Sequence, residues 1–135
     1  MEKFFILLSI IVISLALPYI FKIYSLKKIS EQDLPDSGSW IELSRGNIYF
    51  EWFLPKGNEE IKGTIVLVHG FSTPSFVWRG LLDNFTNSGY KVLVYDHFGR
   101  GHSERPSVKY DKYLYLETLR ELILSQEIQD KIRFI

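Results

Sequence analysis

Two short apolar runs dominate the hydrophobic pattern of the chain, Thr64–Val68 and Lys91–Tyr95. Both are rich in β-branched residues and neither alternates polar with apolar positions, which is typical of strands that a parallel sheet buries on both faces. The segment between them, residues 76–88, places apolar residues at helical spacing: Val77, Leu81, Leu82 and Phe85. Gly89 follows where a helix commonly ends. We therefore predict a strand–helix–strand unit with a right-handed crossover.

The pattern on either side of this unit extends the predicted sheet. Alternating apolar residues around a turn at Arg45–Asn47 predict a β-hairpin over residues 40–54: Ile41, Leu43, Ile48, Phe50 and Trp52. Asp111 is a reasonable N-cap for a later helix. Apolar positions recur in it up to residue 124 or 125: Leu116, Leu119, Leu122 and Ile123. Lys131–Ile135 reads as the start of another strand.

A polar, glycine-bearing loop follows each of the two central strands. His69–Ser72 comes after the first strand, and Asp96–Ser103 comes after the second. Ligands of open α/β sheets bind outside the carboxyl ends of the strands. The pattern therefore predicts a site at the edge where these two loops lie.

The two loops resemble those of the α/β-hydrolase superfamily. The His-Gly pair that ends one strand and the D-x-x-G-x-G-x-S run that ends the next carry the resemblance, which covers Trp40 to the C-terminus. It implies an α/β fold, specifically the N-terminal part of an α/β-hydrolase fold, in which an antiparallel strand pair opens a mostly parallel sheet. One transmembrane helix is expected to precede that sheet.

The expected helix comes from Phe4–Phe21, a segment of 18 residues without a charge. That length is about enough to cross a bilayer core of ~30 Å. A signal peptide is the main alternative, but its apolar core is usually only ~7–15 residues long, and Ala16 is followed by a poor cleavage site. We therefore expect contact with the lipid bilayer through residues 4–21 and single-pass membrane localisation. The predicted organisation is an anchor with its flanks (1–28), a linker (29–39) and a partial hydrolase domain (40–135).

The lysines that flank this segment bear on its orientation. Lys3 precedes the segment, whereas Lys22, Lys27 and Lys28 follow it. The positive-inside rule therefore favours a cytoplasmic C-terminal domain. An anchored domain that faces outward is the alternative.

The catalytic serine of the family is expected outside this sequence. Family members place it in a strained G-x-S-x-G turn, and the triad acid and histidine follow it along the chain. No G-x-S-x-G occurs here, and the sequence is expected to end at or just before that turn. Gly99–Ser103 is a near-match with the wrong spacing, so Ser103 is interpreted as a loop residue. The isolated chain is therefore expected to be inactive.

The backbone N–H of Phe71 is the best candidate for a catalytic group. By resemblance, the residue just after His-Gly donates one hydrogen bond to the oxyanion. Such a donor stabilises the charge on a tetrahedral intermediate. Gly70, Ser72 and Trp78 are candidate substrate-binding residues. Epoxide hydrolases and haloalkane dehalogenases commonly have proline at the position of Ser72, so serine there favours an ester-type serine hydrolase.

Other polar residues of the two loops are interpreted as structural. The resemblance implies that His69 ties the loops together at the strand end. A carboxylate beside a glycine loop readily accepts backbone N–H bonds, so Asp96 is assigned a structural role rather than that of triad acid. Gly99, Gly101 and Ser103 complete this structural loop. We expect His97 and His102 to lie on the loop surface.

Composition narrows the remaining classes. The chain has 135 residues, enough for one ordinary domain, and it has zero net charge and no cysteine. Zero charge gives no indication of a nucleic-acid surface. The absence of cysteine excludes disulfides, thiolate metal sites and cysteine nucleophiles within the chain. The three histidines lack metal-ligand spacing, and no dinucleotide or P-loop motif occurs, so we expect neither a metal nor a cofactor.

Two functions remain open from the sequence. The first is the N-terminal portion of a membrane-anchored serine hydrolase, an esterase or lipase acting on a small-molecule ester, with the missing half supplied by another segment or chain. The second is a non-catalytic, membrane-tethered binding module, or a truncated gene product, that keeps half a hydrolase fold. The membrane segment and the aromatic loops indicate that an ester substrate would be lipophilic.

Overall fold

The structure is a computed structural model that describes residues 2–25, 30–57 and 60–135. Its helices are α1 (Glu2–Ser25), α2 (Arg79–Asn87) and α3 (Lys112–Ser125), and its strands are β1 (Gly38–Leu43), β2 (Gly46–Phe53), β3 (Thr64–Leu67), β4 (Lys91–Tyr95) and β5 (Ile132–Phe134). Short 3₁₀ turns lie at Glu31–Asp33 and Ser75–Trp78.

The strands form one mixed sheet in the order β1-β2-β4-β3-β5. The pairs β1–β2 and β2–β4 are antiparallel, whereas β3 pairs in parallel with β4 on one side and with β5 on the other. This topology confirms the predicted fold, an α/β sheet that is opened by an antiparallel strand pair.

The two central strands are buried on both faces, as their apolar runs predict. Every residue of β3 is buried, and so is every residue of β4 after Lys91. Alternate side chains of these strands enter two core clusters, one that contains Leu82 of α2 and one that contains Leu114 and Leu122 of α3. The two helices therefore cover opposite faces of the sheet. Right-handed crossover connections have this consequence. The connection from β3 to β4 and the connection from β4 to β5 run in opposite directions across the sheet, so their helices lie on opposite faces.

Both core-covering helices begin and end close to the predicted residues. Residues 75–78 form a 3₁₀ turn, which is frequent at helix starts, so α2 itself begins at Arg79. Gly89 just beyond α2 has a φ of +87°, a conformation that glycine adopts without steric cost. The Asp111 carboxylate caps α3 by accepting the N–H groups of Tyr113 and Leu114.

The hairpin is shifted slightly from its predicted position. β1 begins at Gly38, inside the segment interpreted as a linker, and its turn is Ser44–Arg45 rather than Arg45–Asn47. Gly46 belongs to β2 and has a φ of +132°. The Ser44 N–H and hydroxyl both donate to the Glu121 carboxylate, which fastens the turn to α3.

The apolar N-terminal segment forms α1. The stretch Lys3–Lys22 has 20 residues, a mean hydropathy of 2.6 and no burial in the structure. Its length and composition are sufficient to cross a membrane, a property that signal sequences near an N-terminus share. The predicted boundary between anchor and linker, together with Lys27 and Lys28, lies outside the described residues.

Candidate active site

The crevice between the carboxyl ends of β3 and β4 is the candidate site. The loop after β3, residues 68–74 (the β3 loop), leads to α2, whereas the loop after β4, residues 96–106 (the β4 loop), leads to α3. The two loops therefore leave adjacent parallel strands toward opposite faces of the sheet. Such a switch point is where open α/β sheets bind their ligands.

His69 holds the β3 loop through both nitrogens of its imidazole. The backbone N–H of His97 donates to Nε2 at 2.9 Å, so Nε2 is the unprotonated nitrogen. Nδ1 therefore carries the proton and donates to the Gly70 carbonyl, 2.7 Å away. The ring is buried. His69 thus connects the two loops through hydrogen bonds.

The N–H of Phe71 has a defined direction and a free hydrogen-bonding position. Because the peptide group is planar and trans, this N–H points away from the Gly70 carbonyl that His69 holds. No acceptor in residues 2–25, 30–57 or 60–135 pairs with it. The Phe71 carbonyl accepts from Arg100 Nε at 2.7 Å, and the phenyl ring is 80% exposed. A fixed, unpaired N–H at a strand end has the properties that an oxyanion donor needs.

Asp96 uses both carboxylate oxygens on backbone groups. Oδ1 accepts from the Ser75 N–H at 2.7 Å, and Oδ2 accepts from the His102 N–H at 2.9 Å. The side chain is almost fully buried. The carboxylate therefore joins the start of the 75–78 turn to the β4 loop, and His102 Nδ1 lies 3.7 Å from Oδ2.

Two features favour glycine at positions 99 and 101 of the β4 loop. A neighbouring side chain lies close to each Cα atom, and each φ angle is positive. A Cβ at Gly101 would overlap the Asp96 carboxylate, and the φ of Gly101 is +44°. A Cβ at Gly99 would lie 2.8 Å from Cε1 of Tyr110, and the φ of Gly99 is +79°. Since side chains at positive φ are rare and strained, both positions favour glycine.

Ser103 is fully buried and its hydroxyl is engaged in both directions. The Oγ–H group donates to the Asp96 carbonyl at 2.5 Å, and Oγ accepts from the Tyr49 N–H at 2.9 Å. A substrate cannot reach this oxygen without disrupting the loop. The near-match Gly99–Ser103 therefore presents no exposed serine hydroxyl.

The expectation that His97 lies on the loop surface is wrong. The residue is only 9% exposed, and its ring packs edge-on against the rings of Tyr95 and His69 and at a tilt against that of Tyr115. Burial, followed by the neighbouring His69, lowers the pKa of His97 to about 4, so the ring is neutral at pH 7. The ring is buried because Tyr115 of α3 folds over the β4 loop. His102 is half-buried, with its ring 4.9 Å from that of Tyr49.

A cavity of about 250 Å³ lies at this crevice, and Phe71 is among its lining residues. Residues from both loops, both strand ends and α3 line it: Val68, His69, Gly70, Phe71, Tyr95, His97, Arg100, Tyr115, Leu116 and Leu119. Arg100 is the one formally charged member of this set at pH 7. Two of the three candidate substrate-binding residues lie outside the cavity, because Ser72 is exposed on the loop and Trp78 packs against the core cluster under α2. Gly70 lies in the cavity wall.

Several residues of the cavity wall are not predictable from the sequence pattern. Tyr115, Leu116 and Leu119 belong to a helix that reads as ordinary core packing, and Leu116 is in fact exposed. Arg100 lies between the two loop glycines, a position that pattern alone does not connect with Phe71. In the part of the chain that the structure describes, no group of three or more His, Cys, Asp or Glu side chains could hold a metal ion.

The comparisons with known proteins agree with this fold. The family model described as alpha/beta hydrolase fold matches residues 63–132. The chain therefore belongs to the α/β-hydrolase family.

Individual relatives match parts of the chain. Epoxide hydrolase 3 of Xenopus tropicalis is 39% identical over 69 residues, which cover 51% of this chain and 17% of the relative. Monoglyceride lipase of Saccharomyces cerevisiae is 30% identical over 53 residues, 39% of this chain and 17% of the relative. The chain spans between 17% and 26% of the length of the curated relatives it matches.

Solved structures agree at the level of the fold. The esterase of Exiguobacterium antarcticum superposes with a TM-score of 0.63 at 20% sequence identity, covering 72% of this chain and 34% of the esterase. The names of these relatives cover both ester and epoxide chemistry.

Proposed function

We propose that this chain supplies the oxyanion-binding part of a serine hydrolase that cleaves a small, lipophilic ester. The observation that carries the proposal is the Phe71 N–H, which is unpaired among the described residues and is oriented by the bond between His69 and the Gly70 carbonyl. A relative named as a monoglyceride lipase, 30% identical over 53 residues, supports an ester substrate. Serine rather than proline at position 72 supports it as well.

The chemistry assigned to this N–H is stabilisation of charge. Attack on an ester carbonyl concentrates negative charge on one oxygen, and a preorganised N–H at ~3 Å binds that oxygen more strongly in the transition state than in the ground state. The sequence has no G-x-S-x-G, and Ser103 is buried. The nucleophile, the base and the acid would therefore come from residues other than these 135, in the same polypeptide or in a second chain.

We also propose that residues 1–28 anchor the protein in a membrane and that residues 29–39 connect the anchor to the hydrolase domain, with that domain on the cytoplasmic side. The length and composition of Lys3–Lys22 support an anchor. An anchored enzyme would meet lipophilic esters at the bilayer surface. The full chain should stay with membranes through carbonate washing. Release, or a mature N-terminus near residue 20, would indicate a signal sequence instead.

The test of the donor role uses a completed enzyme, in which the part of the Exiguobacterium esterase that follows the segment superposed on this chain is joined after Ile135. Phe71→Pro removes the N–H, whereas Phe71→Leu keeps it. We expect Phe71→Pro to lower kcat on short p-nitrophenyl esters by roughly 10²–10³-fold, the usual cost of one oxyanion donor. Phe71→Leu should remain near the parent activity.

Phe71→Leu is the matched control, because it changes the same side chain and leaves the Phe71 N–H in place. Circular dichroism and thermal melting should show that both variants fold. Equal turnover of Phe71→Pro and Phe71→Leu would contradict the donor role. Without the added half, the chain should show no esterase activity and no fluorophosphonate labelling. Labelling at Ser72 or Ser103 would contradict the placement of the nucleophile.

A further inference from the structure

Arg100 joins the β4 loop to the residue that carries the proposed oxyanion donor. Its Nε–H donates to the Phe71 carbonyl at 2.7 Å, and its guanidinium carbon lies 4.9 Å from the centre of the Phe71 ring. Nη1 donates to the Gly99 carbonyl at 3.0 Å. No carboxylate within the described ranges forms a salt bridge with Arg100. The guanidinium is therefore committed to the backbone of two loops rather than to an ion pair.

These contacts hold the peptide groups on both sides of the Phe71 Cα atom, the first of which carries the Phe71 N–H. The peptide group before Phe71 is held at the Gly70 carbonyl by His69, and the peptide group after it is held at the Phe71 carbonyl by Arg100. Each peptide group is rigid and planar, so only φ and ψ of Phe71 remain between two fixed points. The phenyl ring is 80% exposed, so core packing cannot supply this restraint.

Arg100 itself is part of a well-defined turn. Its N–H donates to the His97 carbonyl at 3.0 Å, and the glycines on either side have positive φ angles. Gly101 lies directly against the buried Asp96 carboxylate. A guanidinium that extends from such a turn can hold a neighbouring loop, because its own backbone is fixed.

We propose that Arg100 is a positioning residue, which holds the Phe71 N–H in the direction that an oxyanion requires. The inference rests on the proposed donor role of Phe71. The residue type suits this task, because the planar guanidinium presents several N–H donors in a fixed fork and stacks on an aromatic ring, whereas a lysine ammonium is a flexible point charge. Arg100→Lys should therefore keep part of the restraint and Arg100→Gln little of it.

The direct test measures the mobility of the Phe71 N–H in the full chain. In ¹⁵N relaxation measurements on detergent-solubilised protein, we expect the order parameter of this N–H to fall from the rigid range near ~0.85 to below ~0.6 in Arg100→Gln. Arg100→Lys should give an intermediate value. An order parameter that is unchanged in Arg100→Gln would overturn the inference.

Arg105 provides a matched control from the same loop. Its guanidinium also donates to loop carbonyls, those of Ser103 and Gly101, both at 3.3 Å, and its hydrogen bonds within the described residues do not include Phe71. Arg105→Gln should leave the Phe71 order parameter at its parent value. An equal loss of order in Arg105→Gln and Arg100→Gln would indicate general loosening of the β4 loop and would overturn the specific role of Arg100.

Kinetics of the completed enzyme separate this inference from the donor role itself. Arg100→Gln should lower kcat by roughly 10–100-fold, since displacing a catalytic group by about 1 Å can cost ~10²-fold. Its KM should change little, because the oxyanion forms only in the transition state. If Phe71→Pro impairs turnover while Arg100→Gln does not, the positioning role is wrong and the donor role stands. If Phe71→Pro is fully active, the donor role is wrong.

Discussion

The two loops of the crevice use their polar groups in opposite ways. In the β4 loop, the Asp96 carboxylate and the Ser103 hydroxyl are buried, and each makes hydrogen bonds to the backbone of neighbouring segments. In the β3 loop, Phe71 and Ser72 are exposed, and the Phe71 N–H has no partner among the described residues. The β4 loop therefore has the properties of a scaffold, and the β3 loop those of a binding element.

This difference shows how one short sheet edge can combine rigidity with reactivity. A donor that is already paired inside the protein gives nothing to a transition state, so a catalytic N–H has to stay unpaired in the free protein. An unpaired group is not held by its own bond, and its neighbours have to fix it. Substitutions in the β4 loop should therefore affect stability strongly, whereas equivalent substitutions in the β3 loop should affect it little.

The largest difference in stability between the two loops is expected when one glycine of each loop is replaced by alanine. Gly101→Ala would drive a Cβ into the Asp96 carboxylate at a φ of +44°, whereas a Cβ at Gly70 meets no atom within 4 Å. Strain and overpacking together should destabilise the full chain by about 4 kcal/mol in Gly101→Ala. Gly70→Ala should change stability by less than about 0.5 kcal/mol. Urea unfolding followed by tryptophan fluorescence measures both, and equal stabilities would contradict the assigned difference.

Two serines provide the second comparison. Ser103→Ala leaves the buried N–H of Tyr49 and the carbonyl of Asp96 without their side-chain partner. Two such losses should cost about 3 kcal/mol of unfolding free energy, at 1–3 kcal/mol for each buried group. Ser72→Ala, at an exposed position, should lie within about 0.5 kcal/mol of the parent. A small effect of Ser103→Ala would indicate that water reaches these groups.

Acid should loosen the β4 loop through His97. Its pKa is about 4 in the folded chain and near 6.5 in an unfolded one, so the unfolded state binds the proton more tightly. The stability that the neutral ring contributes is therefore present above pH ~6.5 and is lost as the pH falls toward 4, by about 2 kcal/mol at pH 5. Unfolding curves between pH 5 and 7 measure this slope.

His97→Asn is the control for the pH dependence, because asparagine does not titrate. In this variant, the free energy of unfolding should depend less steeply on pH, because the contribution of His97 is absent. The nearby Asp96, Arg100, His69 and Tyr115 are present in both proteins, so the difference between the two curves isolates His97. Identical slopes would contradict a neutral, buried ring.

The local pattern of hydrophobic and capping residues predicted most of the helices and strands, because these elements depend mainly on residues close together in the sequence. Continuous β-branched runs gave β3 and β4, and a cap residue gave the start of α3 at Asp111. The boundaries that moved depend on partners. β1 begins at Gly38, before the predicted hairpin, because that residue pairs with Glu51 across the hairpin.

The site was less predictable than the fold, because its geometry depends on contacts between distant segments. The burial of His97 requires Tyr115 to fold over it from α3, and the position of Trp78 depends on the core under α2. The bond between Arg100 and Phe71 spans 29 positions along the chain. No hydrophobic period or short motif encodes such a pairing.

The amino-acid sequence by itself therefore determined the class of fold, the two loops at the sheet edge and the length of the apolar N-terminal segment. Each of these follows from residue type and spacing over fewer than about 25 positions. Only the tertiary structure decided which loop groups are already paired and that the Phe71 N–H has no partner among the described residues. Hydrogen bonds are short-range and directional, so pairing depends on the distances that the packed strands and helices impose.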